Sequence, residues 1–172
     1  TRTATAPHVT VELLSAFERP VSGQQAMGLQ FTLDPEWHIY WQNPGDSGTA
    51  PDAQWQLPAG VSATPVEWPI PERMEDAGSV NYGYHDQVVL PFTLTITPGA
   101  ADAPLTVRAV VRWLACRNIC VAGKATLELK FPLDASEQAE VGEWGLLIAR
   151  AKRQVPQPAP PSLTPPSMPP PP

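Results

Sequence analysis

The sequence predicts an all-β protein, an antiparallel β-sandwich that ends in one helix and a proline-rich tail. In several separate segments apolar residues alternate with polar ones, which is the pattern of strands with one buried face. Turn residues such as Asn43-Pro44-Gly45 and Pro98-Gly99 separate these segments, as they do in a β-sandwich. The tail is set apart by its composition, because 10 of the 23 prolines follow Val155.

Five long stripes of alternating apolar residues define the main predicted strands. They are Val9–Leu13, Met27–Leu33, Val88–Ile96, Leu105–Ala115 and Ala125–Phe131. Shorter strands are predicted at Trp37–Trp41, Ala53–Leu57, Ser62–Trp68 and Ser79–Tyr84. Pro91 lies inside the third stripe, and its missing N–H predicts a strand edge or a bulge at that point.

One helix is predicted between the last strand and the tail. Asp134 is placed to cap its N-terminus, with Glu137 three residues on as the partner in a capping box. Apolar residues then recur at helical spacing from Val141 to Ala151, so the helix is expected to pack on the sandwich or to extend from it. The predicted division is a sandwich domain over residues 1–133, the helix over 134–154, and over 155–172 a linker without a packed core, in extended polyproline II form.

Charge and hydropathy exclude several classes of protein. The net charge is -6 and the isoelectric point about 4.9, which argues against a nucleic-acid partner because phosphate binding needs clustered Lys and Arg. No apolar run approaches the roughly 18 residues that would span a bilayer. The sequence has neither an initial Met nor an apolar targeting segment, so we expect any such signal to be absent or removed.

The two cysteines, Cys116 and Cys120, are separated by three residues and lie between the last two stripes. Odd-numbered residues of both stripes face the core, so both cysteines are predicted to point outward. Four steps of extended chain span roughly 13 Å, beyond the ~7 Å limit between disulfide-bonded Cα atoms. A hairpin turn at 117–119 instead brings opposed Cα atoms to about 4.5–5.5 Å, which permits a bridge.

A bridge across so short a loop stabilises the fold by about 2 kcal/mol on the loop-entropy relation. Its peripheral position favours attack by another thiolate, hence redox exchange. Arg117 and Lys124 either favour the thiolate electrostatically or are ordinary solvated charges. Two alternatives stay open: a static structural bridge, and a soft-metal site in which the thiolates act with His38 or His85 on Cu(I) or Zn. No CxxC, paired-histidine, hydrolase or phosphate-loop motif occurs, so we assign no metal and no cofactor.

Four segments of the sequence carry distinctive motifs: WHIYWQNPGDSGTAP (37–51), VEWPIPER (66–73), YGYHDQVVLP (82–91) and VRWLACRNICVAGKA (111–125). They resemble the signature of the disulfide bond corrector family, the periplasmic N-terminal domains of DsbD-like transmembrane reductases, including the copper-sensitivity suppressor B (ScsB) branch. The resemblance spans about residues 8–133. It implies an immunoglobulin-like sandwich whose cysteine pair relays reducing equivalents.

The resemblance further implies that the electrons come from a thioredoxin-like domain of the same membrane-anchored protein. They are then expected to pass to periplasmic thioredoxin-fold isomerases or reductases. Cys120 is implied to form the mixed disulfide with these partners, and Cys116 to resolve it. A cap that shields the pair is implied between Glu72 and Tyr84, and we expect Tyr82 or Tyr84 to cover the sulfurs.

Tyr40 and Trp41, in the first resembling segment, either fill the sandwich or flank the cysteines. The expected protein is a monomeric periplasmic domain with thiol–disulfide oxidoreductase activity, tethered by its proline-rich tail to a membrane domain. The alternative is a non-catalytic binding module with a structural disulfide, in one version binding Cu(I) in copper tolerance.

Overall fold

The computed structural model describes residues 1–157, which form eleven strands and three helices. The strands are β1 (Thr3–Ala6), β2 (Val9–Ser15), β3 (Gly23–Leu33), β4 (His38–Gly45), β5 (Asp52–Gln56), β6 (Val61–Ala63), β7 (Glu72–Asp76), β8 (Ser79–His85), β9 (Gln87–Ile96), β10 (Leu105–Cys116) and β11 (Cys120–Phe131). The helices are α1 (Pro98–Ala101), α2 (Ala135–Gln138) and α3 (Val141–Arg153). Most of the linker predicted over 155–172 lies outside the described residues.

The strands form two antiparallel sheets. The first sheet has the order β1-β2-β3-β9-β6, and the second has the order β11-β10-β4-β8-β7, with β5 paired to β10. This arrangement confirms the predicted all-β sandwich. No helix within residues 1–157 is both long and apolar enough to cross a membrane.

The core lies between the sheets and is built by the predicted stripes. Val11 and Leu90 of the first sheet and Val107 and Leu127 of the second are fully buried in one continuous apolar cluster. Successive residues of a strand point to opposite faces, so each stripe delivers its apolar members to this cluster. Burying so many branched side chains is the main stabilising contribution to the fold.

The sequence patterns miss or misplace three strands. β1 and β7 are not predicted, because β1 offers only small Ala side chains and the segment ERMED of β7 has one apolar residue. β6 ends at Ala63 rather than at Trp68, since the prolines that follow remove ladder donors. Pro91 itself pairs with Gly28 of β3. On its other side, beyond the end of β6, its carbonyl accepts a hydrogen bond from Glu67 N at 2.7 Å, a contact that does not need the missing N–H.

The predicted helix is divided in two, and its capping residue is as expected. Asp134 Oδ1 accepts a hydrogen bond from Glu137 N at 2.9 Å. The helix is interrupted between α2 and α3, and α3 then buries Ile148 against the first sheet. Gly28 makes this close approach possible, because a Cβ there would lie 2.8 Å from Val89 Cγ1 and 3.0 Å from Ile148 Cγ1. The helix therefore packs on the sandwich rather than extending from it.

Shortening the buried side chain of α3 should destabilise the whole domain. We expect Ile148→Ala to lower the free energy of unfolding by about 2–4 kcal/mol, because it leaves a cavity against the sheet. Leu146→Ala, in the same helix but 69% exposed, should change it by less than about 0.5 kcal/mol. Urea unfolding followed by circular dichroism measures both, and equal losses would contradict the packing of α3 on the first sheet.

Candidate active site

The hairpin formed by β10 and β11 places the two cysteines opposite each other. The two strands pair without a register shift from Leu105 opposite Phe131 to Cys116 opposite Cys120. Arg117 N donates to Ile119 O at 2.9 Å and closes the turn. Cys116 and Cys120 form a disulfide with their Cα atoms 4.1 Å apart, so the bridge predicted to depend on a hairpin is present.

The two sulfur-bearing residues differ sharply in exposure. Cys120 is exposed, whereas Cys116 is only 3% exposed. Cys116 is nevertheless not a member of the continuous core cluster, in keeping with its outward direction from β10. An outward side chain is buried only if another part of the chain covers it, and the alternation pattern of β10 gives no sign of such a cover.

A row of polar side chains continues from the disulfide across the second sheet. Cys116 pairs with His38 of β4, and His38 pairs with His85 of β8. Directly opposed residues of adjacent strands point to the same face, with Cβ atoms about 4.5–5.5 Å apart. The two imidazole centroids are 5.6 Å apart, and His85 Nδ1 lies 2.6 Å from Glu72 Oε2. Cys120, Cys116, His38 and His85 therefore share one outward face.

Burial and a neighbouring imidazole set the electrostatics of His38. Its pKa is lowered, first by removal of the ring from water and then by His85, and Asp76 opposes this in part. His38 Nε2 shares a hydrogen bond of 3.2 Å with Tyr40 Oη. Burial in turn raises the pKa of the Tyr40 hydroxyl. At neutral pH the site thus holds an uncharged imidazole and an uncharged phenol.

Residues 46–50, here called the covering segment, lie over Tyr40. A Cβ on Gly48 would meet the Tyr40 ring at 2.4 Å, and Gly48 has φ +96°, so this close approach requires glycine. The segment is fixed to β8: Val80 N donates to Asp46 Oδ2 at 2.7 Å, and Asn81 Nδ2 donates to Ser47 O at 2.6 Å. After this segment the chain enters β5, which pairs with β10.

The expected cap residues occupy other positions. Tyr84 is buried in the core, where its hydroxyl donates to Pro69 O at 2.7 Å. It pairs with Ile39, the chain neighbour of His38, and therefore lies on the opposite face of the sheet from His38. Tyr82 packs edge-on against Trp41 at a centroid distance of 6.2 Å. The structure therefore does not bring Tyr84 to the sulfurs, because neighbouring residues of a strand face opposite ways.

The region between Glu72 and Tyr84, where the cap is expected, forms the hairpin of β7 and β8. His85, at the end of β8, is the residue in the row of the cysteines, and the turn of the hairpin precedes Ser79. Of the predicted flanking aromatics, Tyr40 is on the cysteine face and Trp41 packs against the core.

The surroundings of the exposed cysteine are partly apolar. Ile119 is 67% exposed in the turn next to Cys120. A shallow depression of about 280 Å³ is lined by Leu114, Ala122 and Ala50, and also by the charged residues Asp52 and Arg112. Leu114 and Ala122 pair with each other two residues inside the cysteine pair, hence on the same face.

The two basic residues considered for thiolate stabilisation, Arg117 and Lys124, are not placed as free charges beside the sulfurs. Arg117 forms an ion pair with Glu36, so the carboxylate compensates its positive charge. Lys124 lies opposite Arg112, four residues from Cys120 along β11. Within residues 1–157, no group of three or more His, Cys, Asp and Glu side chains is arranged to hold a metal ion.

The sequence patterns single out His38 and His85 only as candidate metal ligands. They predict neither the exposure of Ile119 beside Cys120 nor the packing of the covering segment on Tyr40. The proximity of His38 to Cys116 rests on the pairing of β4 with β10, strands more than 60 residues apart, which no local pattern predicts. An apolar residue in a tight turn, Ile119, is the one signal of a contact surface that the sequence offers.

Comparison with known proteins relates this chain to thiol–disulfide proteins. The family model described as thiol:disulfide interchange protein DsbD, N-terminal, matches residues 9–132. The solved N-terminal periplasmic domain of ScsB from Proteus mirabilis is similar, with a TM-score of 0.64 and 25% identity, over 90% of this chain and 58% of that one. The yeast GGA1_GAE domain-P21 structure gives a TM-score of 0.42 at 8% identity, over 75% of this chain and 99% of that one. A comparison with curated proteins found no match.

The difference in exposure predicts selective alkylation after reduction. With both thiols free, we expect iodoacetamide to modify Cys120 at least about tenfold faster than Cys116, because the buried thiol is screened from the reagent. Peptide mapping of singly modified protein by mass spectrometry measures the ratio. Comparable modification of both cysteines would show that the cover over Cys116 is absent in the reduced protein.

Proposed function

The chain belongs to the family of N-terminal domains of the thiol:disulfide interchange protein DsbD, and from this premise we propose that it relays reducing equivalents through Cys116 and Cys120. The membership confirms the resemblance found in the sequence, and the similarity to the ScsB domain confirms the immunoglobulin-like sandwich. The family and the disulfide together support a role in thiol–disulfide exchange. The chain spans less than two thirds of the ScsB structure, so donor, acceptor and compartment form part of the proposal.

The proposed route begins at a thioredoxin-like domain of the same parent protein, which reduces the Cys116–Cys120 disulfide. The reduced pair then passes two electrons to a thioredoxin-fold isomerase or reductase. The relative of known structure is described as a periplasmic domain, and we place this chain in the periplasm as well. A membrane-anchored parent supplies the electrons in this scheme.

The observation that carries the proposal is the unequal exposure of the two cysteines. Cys120 is open to a partner, and its thiolate attacks the partner disulfide, forming a mixed disulfide and releasing one partner thiolate. Cys116, covered and opposite Cys120, then attacks Cys120 Sγ. The Cys116–Cys120 bond forms, the mixed disulfide breaks, and the partner leaves with two reduced sulfurs.

The apolar surroundings of Cys120 support contact with another protein. Ile119 and the depression lined by Leu114 and Ala122 lie on the face of the disulfide. Exposed apolar groups beside a reactive residue favour docking, because contact removes them from water. A bridge serving only stability needs no such surface, and a bridge closing so short a loop contributes only about 2 kcal/mol.

Trapping of the mixed disulfide tests this proposal. We expect Cys116→Ser, which leaves Cys120 without its resolving partner, to accumulate a covalent complex with an oxidised thioredoxin-fold protein. Cys120→Ser should give little or none, since Cys116 is covered. Non-reducing electrophoresis and mass spectrometry detect the complex. If neither variant is captured and the native bridge also resists reduced glutathione, the bridge is structural and the exchange function is refuted.

Ile119 should contribute to partner docking. We expect Ile119→Asp to slow formation of the mixed disulfide in the Cys116→Ser background by about tenfold, corresponding to about 1.4 kcal/mol of lost apolar contact. Leu146→Asp is the matched control, because Leu146 is 69% exposed but lies on α3, which covers the other sheet. Equal rates for the two variants would exclude Ile119 from the contact surface.

A further inference from the structure

If Cys116 resolves the mixed disulfide, as the proposed function requires, its buried thiol must first lose a proton. Resolution needs the thiolate of Cys116, since the thiol is a poor nucleophile. A side chain that is only 3% exposed has little water available to take its proton, and an apolar environment disfavours the charged thiolate. A proton acceptor within the protein would remove this obstacle.

His38 is the titratable group next to Cys116 in the sheet. The two residues are direct cross-strand partners, so their side chains project side by side from the same face. Tyr40 Oη occupies Nε2 of the ring. Within the part of the chain that the structure describes, Nδ1 has no hydrogen-bond partner, so a lone pair is available there when Nε2 carries the hydrogen.

We propose that His38 is the general base for the resolving step and that Tyr40 and His85 position it. His38 Nδ1 takes the proton from Cys116 Sγ, directly or through one water molecule. The Cys116 thiolate attacks Cys120 Sγ, the intrachain disulfide forms, and the bond from Cys120 to the partner breaks. The departing partner thiolate receives the proton from the imidazolium, so His38 returns to its neutral form and no external reductant or oxidant is needed.

The groups around His38 keep it ready for this role. His85 faces it from β8 and is held by Glu72 of β7, and the carboxylate of Asp76, also in β7, partly opposes the lowering of its pKa. Tyr40 contacts it from its own strand, and Cys116 faces it from β10. Two residues before β4, Glu36 forms an ion pair with Arg117. Burial and His85 lower the pKa of His38, so the ring is uncharged at neutral pH and able to accept a proton.

The two steps of exchange can be observed separately with a small aromatic disulfide. Reduced protein, used as the full chain, is mixed with 5,5′-dithiobis(2-nitrobenzoate) in a stopped-flow spectrometer. Attack by Cys120 releases the first thiolate chromophore, and resolution by Cys116 releases the second. We expect His38→Gln to slow the second release at least about tenfold at pH 7, the low end of general-base effects, and to change the first release by less than about twofold.

The pH profile separates a base from a structural residue. In the wild type the second release should slow as the pH falls through the pKa of His38, below the ordinary value of about 6.5, because imidazolium cannot accept a proton. His38→Gln should lose this inflection. His85→Gln, which keeps the base but removes a group that lowers the pKa of His38, should shift the inflection to higher pH.

His8→Gln serves as the control, since His8 is not a member of the cysteine row: it lies in the β1–β2 turn, where it stacks on the core residue Trp37 and contacts Asp34. A second release that keeps the wild-type rate or the wild-type inflection in His38→Gln would overturn the proposal, as would an unshifted inflection in His85→Gln. Should the wild type release no first chromophore, Cys120 does not attack disulfides, and the exchange function itself is refuted rather than the role of His38.

Discussion

The pairing of β10 with β11 is the constraint on which the rest of the structure depends. The two strands match residue for residue from Leu105 opposite Phe131 to Cys116 opposite Cys120. This register sends Val107 and Leu127 into the core and the cysteines to the outer face. A slip of one residue would reverse both faces and expose the apolar set, so the core energy fixes the geometry of the disulfide. The disulfide itself adds comparatively little to stability.

The two faces of the second sheet have different roles. The inner face supplies apolar side chains to the core, and there Tyr84 and Trp41 serve stability. The outer face carries the row from Cys120 to His85, with Tyr40 beside it. Because the outer row is not needed for the core, its residues are free to be polar and titratable. The cover over Tyr40 comes from a loop tied to β8 by Asp46 and Asn81.

Much of the fold follows from local patterns, and the site follows only in part. Period-two alternation is imposed by the pleat, so the buried faces of Val9, Phe31 and Leu129 can be read from their neighbours in the chain. Asp134 is recognisable as a cap because capping is a contact between residues three apart. The exposed strand β7 is not predicted, because an edge strand needs no apolar face. Tyr84 is expected at the sulfurs but lies in the core. The expectation fails because the resemblance suggests a region without showing which face its aromatics take.

The sequence by itself determined the strand faces, the outward direction of both cysteines and the need for a turn between them, because each depends on residues close together in the chain. Only the tertiary structure decided that Cys116 is covered while Cys120 is open, and that His38 lies beside Cys116. The second fact depends on the pairing of β4 with β10, which brings together two distant parts of the chain. Such meetings are set by how the two sheets bury their apolar faces together, which no short stretch of sequence contains.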